Sequence, residues 1–162
     1  MALPMYLTLK GQKTGEIKGG VTQKGREHSI RVIAVSHSII SPRDPSSGLP
    51  TGRRQHQPFM ITKELDQSTP LLNNLLVTNE NITEWRLDYW QLQPRGKEAL
   101  VYTVRLTNAN IASIHHRVEN VAIPGNAQLP AMEDIQFTYQ KIEWTWNDGG
   151  ITAGDDWESP MA

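Results

Sequence analysis

Two pairs of adjacent side chains in this 162-residue sequence have the types that metal sites use. His115 and His116 are neighbours, and neighbouring residues of a strand point to opposite faces, so they do not converge on one ion. Asp155 and Asp156 could bind a hard cation, but they lie in a Gly-rich acidic stretch, where solvated side chains are the simpler interpretation. We therefore predict no metal site at either pair.

A third pair, Glu64 and Asp66, is close enough in sequence to suggest acid–base catalysis. Both acids flank a predicted helix start, where the helix dipole favours negative charge. The chain has no cysteine, which excludes a thiol nucleophile, and its glycines do not form a P-loop or a dinucleotide loop. We predict that the protein is not an enzyme and has no catalytic residues and no cofactor.

Most of the chain alternates apolar and polar residues, which is the pattern of half-buried strands. The predicted strands are MYLTLKG, HSIRVIAVSHSII, PFMITKEL, TEWRLDYWQLQ, EALVYTVRLTNANIASIHHRV (one strand or two) and EDIQFTYQKIEWTW. Gly, Pro and Asn residues separate these segments. Six or seven such strands predict a mainly β fold, either a two-sheet barrel or a sandwich.

The last of these segments, residues 133–146, contains a change of phase. Ile135 and Tyr139 share one face, and the apolar row continues at Ile142 after one extra residue. A single strand with a β-bulge near Gln140–Lys141 would produce this slip.

One short amphipathic helix is predicted at about residues 69–78, on the flank of the sheets. Ser68 or Thr69 is expected to be the N-cap, with its hydroxyl accepting a free backbone N–H. Pro70 suits the first helical position, where no N–H is needed. Four leucines form an apolar stripe that can pack on a sheet: Leu71, Leu72, Leu75 and Leu76.

Two segments fall outside the strand pattern. Residues 41–58 hold four prolines and form a loop that is too long for a simple connection; such loops are functional or disordered. Residues 150–162 form an acidic tail with Trp157 as its large anchor, either frayed or ordered against a neighbour. We therefore predict one domain at residues 1–149, followed by this tail.

The net charge of −1 is unevenly distributed along the chain. Residues 1–60 carry a net charge of +6, and residues 61–162 carry −7. Either the fold mixes the two halves, or basic and acidic surfaces attract copies of the molecule head to tail, which produces rings or filaments. The basic residues are not interleaved with stacking aromatic residues, which argues against nucleic acid as a partner.

The first residues, MALPMYLTLKG, lack the basic and apolar regions of a cleavable signal peptide. No apolar run in the sequence approaches the length of a membrane span. We therefore expect a protein that is made in the cytoplasm, does not insert in a membrane and, if exported, leaves without a cleavable signal.

Three segments, in this order and spacing, resemble the Hcp (hemolysin-coregulated protein) family, the tube protein of the bacterial type VI secretion system. They are MYLTLKG, ITKELDQSTPLL and MEDIQFTYQKIEWTW. The resemblance extends from residue 1 to about residue 149 and departs in residues 41–58 and in the tail. Its most specific part is the helix start, with Lys63, Asp66, Ser68, Thr69 and Pro70.

The resemblance implies a β-barrel-like fold and a homohexameric ring with a wide pore. The rings would stack into a tube beneath a tip (spike) protein and inside a contractile sheath, and the tube would be secreted with small effectors in its lumen. On this hypothesis, the small polar Ser36 and Ser38 are predicted to face the lumen or cargo. The predicted subunit or ring contacts are Arg43, Arg53, Arg54 and Trp157.

Two other functions remain open from the sequence. One is a monomeric β-barrel that binds a small ligand, with the five tryptophans lining a cavity instead of packing in the core. The other is a phage-type tail-tube protein, which shares the architecture but not the secretory role.

Overall fold

The computed structural model describes residues 3–157, which form mainly β-strands with one α-helix. This confirms the predicted mainly β fold with a short flanking helix. The strands make a seven-stranded sheet, a four-stranded sheet and a separate two-stranded pair, and the path through each of them is open. Every strand pairing is antiparallel.

The larger sheet contains both the first strand and the last strand of the described residues. Its order is β13 (Ile151–Asp156), β12 (Lys141–Trp146), β9 (Glu98–Thr107), β8 (Ile82–Leu92) and β1 (Met5–Gly11), with β2 (Gly15–Ile17) and β3 (Ile30–Val32) both paired to β1. The smaller sheet has the order β10 (Asn110–Arg117), β11 (Met132–Thr138), β7 (Phe59–Glu64) and β4 (Ala34–Ser36). The separate pair is β5 (Ile39–Ile40) with β6 (Gln55–His56).

Apolar side chains from both sheets form one core. Trp85 of the larger sheet lies edge-on to two aromatic rings of the smaller sheet, with ring centroids 5.1 Å from Phe59 and 5.4 Å from Phe137. This is the tilted geometry that aromatic pairs prefer. Each of these three side chains is buried, so core packing is the use that the fold makes of Trp85.

The single bulged strand predicted for residues 133–146 is wrong. The stretch forms β11 in the smaller sheet and β12 in the larger sheet, joined by Tyr139 and Gln140. Ile135, Tyr139 and Ile142 are all buried, so the apolar row stays in the core while the chain passes from one sheet to the other. The phase slip therefore marks a crossing between sheets.

The segment HSIRVIAVSHSII, predicted as one strand, forms three short strands. β3 pairs with β1, β4 pairs with β7, and β5 pairs with β6, so the chain changes its partner twice within residues 30–40. Alternation along a sequence reports which side chains share a face, but it does not report which strand lies alongside. The longer segment that was predicted as one strand or two forms two, β9 and β10.

Helix α1 runs from Thr69 to Val77, within one residue of the prediction, and has Pro70 in its first turn. Leu72 and Leu75 are buried and Leu76 packs against the core, whereas Leu71 is exposed. The face of the helix that packs on the core therefore contains three of the four leucines and excludes Leu71. Within residues 3–157, no helix is long and apolar enough to cross a membrane.

The predicted mechanism of the helix cap is wrong. Ser68 is the N-cap residue, but its hydroxyl makes no capping bond to the helix backbone. It donates instead to the Asp66 carboxylate, which also accepts the Ser68 backbone N–H at 2.9 Å. Lys63 Nζ lies 3.1 Å from the same carboxylate, so an acid and a buried lysine fix the start of the helix.

Candidate assembly surface

The three pairs that first suggested chemistry do not combine into a metal site in the part of the chain that the structure describes. His115 and His116 are exposed on β10, and Glu64 is exposed at the end of β7. Among residues 3–157, no three His, Asp or Glu side chains are grouped to hold a metal ion. Asp155 differs most from its prediction, because it lies in strand β13 and not in a solvated tail.

Residues 38–57 form an ordered hairpin that projects between β4 and β7, and we call it the arm. Its base is closed by the Gln57 backbone N–H, which donates to the Ser38 carbonyl at 3.0 Å, and by the pairing of β5 with β6. Farther out, Arg43 and Pro50 form an isolated bridge. Within the segment predicted as a loop at residues 41–58, only Gln55–His56 lie in a strand and Arg43 and Pro50 in an isolated bridge, so most of the segment is a loop that is closed at its base.

The tip of the arm is a turn centred on Asp44. Its carboxylate accepts the Ser47 hydroxyl at 2.7 Å and the Ser46 backbone N–H at 3.2 Å. The hydrogen bond from Ser47 is the main reason that the pKa of Asp44 lies below its ordinary value. Gly48 follows with φ of +72°, a left-handed conformation that favours glycine.

Strand β13 and the residue after it hold the base of the arm. Arg54 Nε donates to Asp155 Oδ2 at 2.5 Å, and Arg54 Nη2 donates to the Asp156 carbonyl at 3.0 Å. The bond from Arg54 is the largest cause of the lowered pKa of Asp155, and the same bond raises the pKa of Arg54. Arg53 Nη2 donates to the carbonyl of Trp157 at 3.1 Å. The end of the described chain is thus ordered against the arm of the same molecule.

Asp155 of this ion pair also begins a row of four polar side chains that runs into the protein, and we call these four the histidine cluster: His37, His56, Tyr139 and Asp155. His56 Nε2 lies 2.6 Å from Asp155 Oδ2, and His56 Nδ1 lies 2.7 Å from the Tyr139 hydroxyl. His37 Nε2 lies 2.8 Å from the same hydroxyl. Burial is the main cause that lowers the pKa of His37 and raises the pKa of Tyr139.

Trp157 covers the histidine cluster from the C-terminal side. Its indole N–H donates to the Tyr139 carbonyl, and its ring centroid lies 5.8 Å from that of His56. The side chain nevertheless remains 38% exposed. It is therefore anchored within its own chain and still presents one surface outward.

Three of the four residues predicted as subunit or ring contacts come together in the structure. Arg53, Arg54 and Trp157 meet at the base of the arm. Arg43 is separate, exposed on the outer part of the arm. Ser36 and Ser38 are both exposed, and His37 between them turns to the opposite side, toward Tyr139.

The sequence interpretation missed the histidine cluster. His37 lies inside a predicted strand and His56 inside the predicted loop, and no sequence pattern links either residue to Tyr139 or Asp155. His37 and Tyr139 are 102 residues apart in sequence, and His56 and Asp155 are 99 apart. The available signal was that His37 shares its row with Val35, a side chain packed against the core.

Two parts of the chain each expose several apolar side chains. The connection between β10 and β11 exposes Val118, Val121 and Ile123 by 52%, 64% and 51%. The arm exposes Ile39, Ile40 and Leu49 by 41%, 46% and 65%. Apolar residues that are neighbours on a surface are characteristic of contact sites.

Comparison with known proteins gives a consistent result. The sequence profile of the family described as "Type VI secretion system effector, Hcp" matches residues 6–146. The "Major exported protein" of Pseudomonas aeruginosa is 38% identical over 171 aligned residues, which cover 100% of this chain and 99% of that protein.

Solved structures match this chain in fold and over nearly its whole length. A tryptophan double mutant of Hcp1 from E. coli EAEC 042 has a TM-score of 0.85 and 31% identity, and the similarity covers 96% of this chain and 99% of that one. A crystal structure described as Hcp protein has a TM-score of 0.89 and 27% identity, with 98% and 100% covered.

Proposed function

Because the chain belongs to the Hcp family of type VI secretion proteins, we propose that it is the structural tube subunit of such a system. Its copies assemble into homohexameric rings, and the rings stack into the inner tube that is secreted. The observation that carries this proposal is the family match over residues 6–146, together with a relative of similar length named as an exported protein.

The surface of the single chain supports self-assembly. Exposed apolar groups lie on the arm and on the β10–β11 connection, so two different patches are available for two kinds of contact. Ring closure and stacking are both head-to-tail contacts, which need two complementary patches on each subunit. The open edges of the sheets, at β13, β10 and β4, add backbone groups that another chain can pair with.

The distribution of charge supports assembly less strongly than the sequence suggested. Arg54, from the basic half of the chain, pairs with Asp155 from the acidic half within one molecule. Some of the opposite charges therefore pair with each other within one subunit. Arg43 is exposed on the arm and is the better candidate for a contact with a neighbouring subunit or ring.

The remaining parts of the proposal concern cargo, partners and export. Ser36 and Ser38 are exposed, small and polar, and they line the lumen where small effectors are carried. The tube lies beneath the tip (spike) protein and inside the contractile sheath. The subunit is made in the cytoplasm and leaves the cell with the tube.

The test is the absolute mass of the purified protein by light scattering, with negative-stain images of the same peak. Six chains per particle and open rings are the expected result. A clean monomer at every concentration would contradict the proposal, and the small-ligand barrel would then be the hypothesis to test. Rings stacked end to end in the negative-stain images would support the tube directly.

A further inference from the structure

One hydroxyl group serves two histidines in the histidine cluster. Tyr139 Oη lies 2.8 Å from His37 Nε2 and 2.7 Å from His56 Nδ1. A phenol has one proton to donate and lone pairs to accept with. If both facing nitrogens carried protons, the phenol proton would have no acceptor among them. The Tyr139 hydroxyl can therefore use its proton in this cluster only when at most one of the two histidines is an imidazolium.

The other ring nitrogen of His56 faces a carboxylate oxygen that also contacts Arg54. Asp155 Oδ2 lies 2.6 Å from His56 Nε2 and accepts Arg54 Nε at 2.5 Å. Since an ionised carboxylate only accepts hydrogen bonds, His56 Nε2 carries a proton. Asp155 thus faces one permanent cation before either histidine is charged.

The other charged groups around the cluster come from the arm and from β13. Arg53 donates to the Trp157 carbonyl, and the Asp156 carboxylate lies 3.3 Å from the Gln140 amide nitrogen. The rings packed on the two histidines, Phe59 on His37 and Trp157 on His56, carry no charge. Two imidazolium ions beside Arg54 would therefore repel each other in a half-buried site.

We propose that the histidine cluster is an acid-opened latch, which holds the base of the arm against β13 as long as His37 is neutral. The closed form joins three parts of the chain: the body through His37 and Tyr139, the arm through Arg54 and His56, and β13 through Asp155. Protonation of His37 places a positive charge in this half-buried site beside a hydroxyl and not beside a carboxylate, which weakens the closed form and frees the base of the arm.

The direction of the pH response follows from burial. The pKa of His37 is lowered from its ordinary 6.5, first by burial and then by the charge at His56. Below pH 6.5, His37 therefore binds a proton more readily in the open form than in the closed form, where it is half-buried. Linkage then shifts the closed-to-open ratio by up to about tenfold per pH unit, until the lowered pKa of His37 is reached. The lowered pKa of Asp155 acts in the same direction at still lower pH.

Hydrogen–deuterium exchange followed by mass spectrometry tests the latch. Exchange of peptides from residues 39–57 is compared between pH 7.5 and pH 5, with times corrected for the intrinsic pH dependence, and a peptide from β8 is the internal reference. We expect corrected exchange in the arm to rise about tenfold at pH 5 and that of β8 to stay constant. Equal protection of the arm at both pH values would overturn the proposal.

Two variants distinguish the latch from a loosening of the whole structure at low pH. His37→Gln keeps a neutral amide beside Tyr139 but cannot become charged, so its arm should stay protected at pH 5. His115→Gln removes an exposed histidine on β10 and should respond as the wild type does. If His37→Gln opened with acid to the same extent as the wild type, the latch would be excluded.

The latch lies within one chain and does not depend on the proposed ring. Light scattering at each pH gives the number of chains per particle in the same samples. A monomer at pH 7.5 would contradict the proposed function but leave the exchange comparison valid. If acid exposed the arm only by separating subunits, His37→Gln would follow the wild type, which is the overturning result.

Discussion

Lys63 and Glu133 are paired directly across β7 and β11, and both side chains are buried. Their charged groups contact each other, and Lys63 Nζ also donates to the Glu64 carbonyl at 2.9 Å and to Thr69 Oγ1 at 3.2 Å. Thr69 Oγ1 in turn donates to Glu133 Oε1 at 2.8 Å. This fully bonded ion pair connects the smaller sheet to the first turn of α1.

Glu133→Ala should lower the free energy of unfolding by about 3–5 kcal/mol, because it leaves the Lys63 charge buried without its main partner. Urea denaturation at a fixed protein concentration measures this loss. Glu84→Ala is the matched control, since Glu84 pairs with Lys10 at 3.2 Å with both side chains largely exposed. That change should cost less than about 1 kcal/mol.

The double variant Lys63→Met with Glu133→Leu distinguishes a buried charge from a lost contact. Replacing both charges with apolar groups of similar size removes the desolvation cost, so much of the stability should return. A double variant as unstable as Glu133→Ala would show that the hydrogen bonds, and not the unpaired charge, account for the loss.

Gly19 should be intolerant of any side chain, whereas its neighbour Gly20 should not be. A Cβ at Gly19 would lie 2.3 Å from the Ser29 carbonyl oxygen and 2.7 Å from the Ile30 Cα, both backbone atoms that cannot move aside cheaply. A Cβ at Gly20 meets nothing within 4 Å. Gly19→Ala should cost about 1–3 kcal/mol, and Gly20→Ala should change the urea midpoint little. Equal midpoints for the two variants would contradict this.

Local features of the fold were predictable from the sequence, because one strand or helix determines them. Strand β1 and helix α1 follow from period-two alternation and from a proline after a capping residue. The burial of Lys63 also had a local signal, since it continues the apolar row of Phe59 and Ile61 along β7. That row could have identified Lys63 as a buried charge that needs a partner.

Features that depend on distant parts of the chain were not predictable in the same way. The crossing at Tyr139 looks like a bulge in sequence because both produce one extra residue in the alternation. Asp155 looked solvated because its partners, Arg54 and His56, lie about a hundred residues earlier. No spacing rule along a sequence relates such positions, so only the folded structure shows the histidine cluster.

Ser36→Arg should impair cargo retention, because it places a long cation where we propose that the lumen carries small effectors. We expect co-purification of a small effector of the same secretion system to fall by at least tenfold, equivalent to about 1.4 kcal/mol of binding energy. Ser36→Ala keeps the position small and should retain cargo. If Ser36→Arg left both cargo binding and tube formation unchanged, the lumen assignment of Ser36 and Ser38 would be wrong.

Arg43→Glu should weaken assembly, and the effect should be greater at low salt, where exposed charges are screened least. Reversing Arg53 and Arg54 is a less selective test, because Arg54 also holds Asp155 within the chain. Arg95→Glu, in the exposed turn between β8 and β9, is the control for net charge. Light scattering across a salt series gives the number of chains per particle, and equal series for Arg43→Glu and the wild type would exclude a contact at Arg43.

Arg26 should stabilise the fold mainly through two aromatic rings. Its guanidinium carbon lies 4.7 Å from the centre of the Tyr6 ring and 4.5 Å from that of Trp90, and its side chain is 8% exposed. It also pairs with Glu98, whose side chain is 43% exposed. A cation between two aromatic faces and shielded from water contributes about 2 kcal/mol, whereas an ion pair open to solvent contributes less.

Arg26→Ala should therefore lower the free energy of unfolding by about 2 kcal/mol, and Glu98→Gln by less than about 1 kcal/mol. Arg26→Lys should recover only part of the loss, because an ammonium group does not stack between two rings as a planar guanidinium does. Thermal and urea denaturation of the three variants measures the order. If Glu98→Gln were as destabilising as Arg26→Ala, the ion pair and not the rings would hold Arg26 in place.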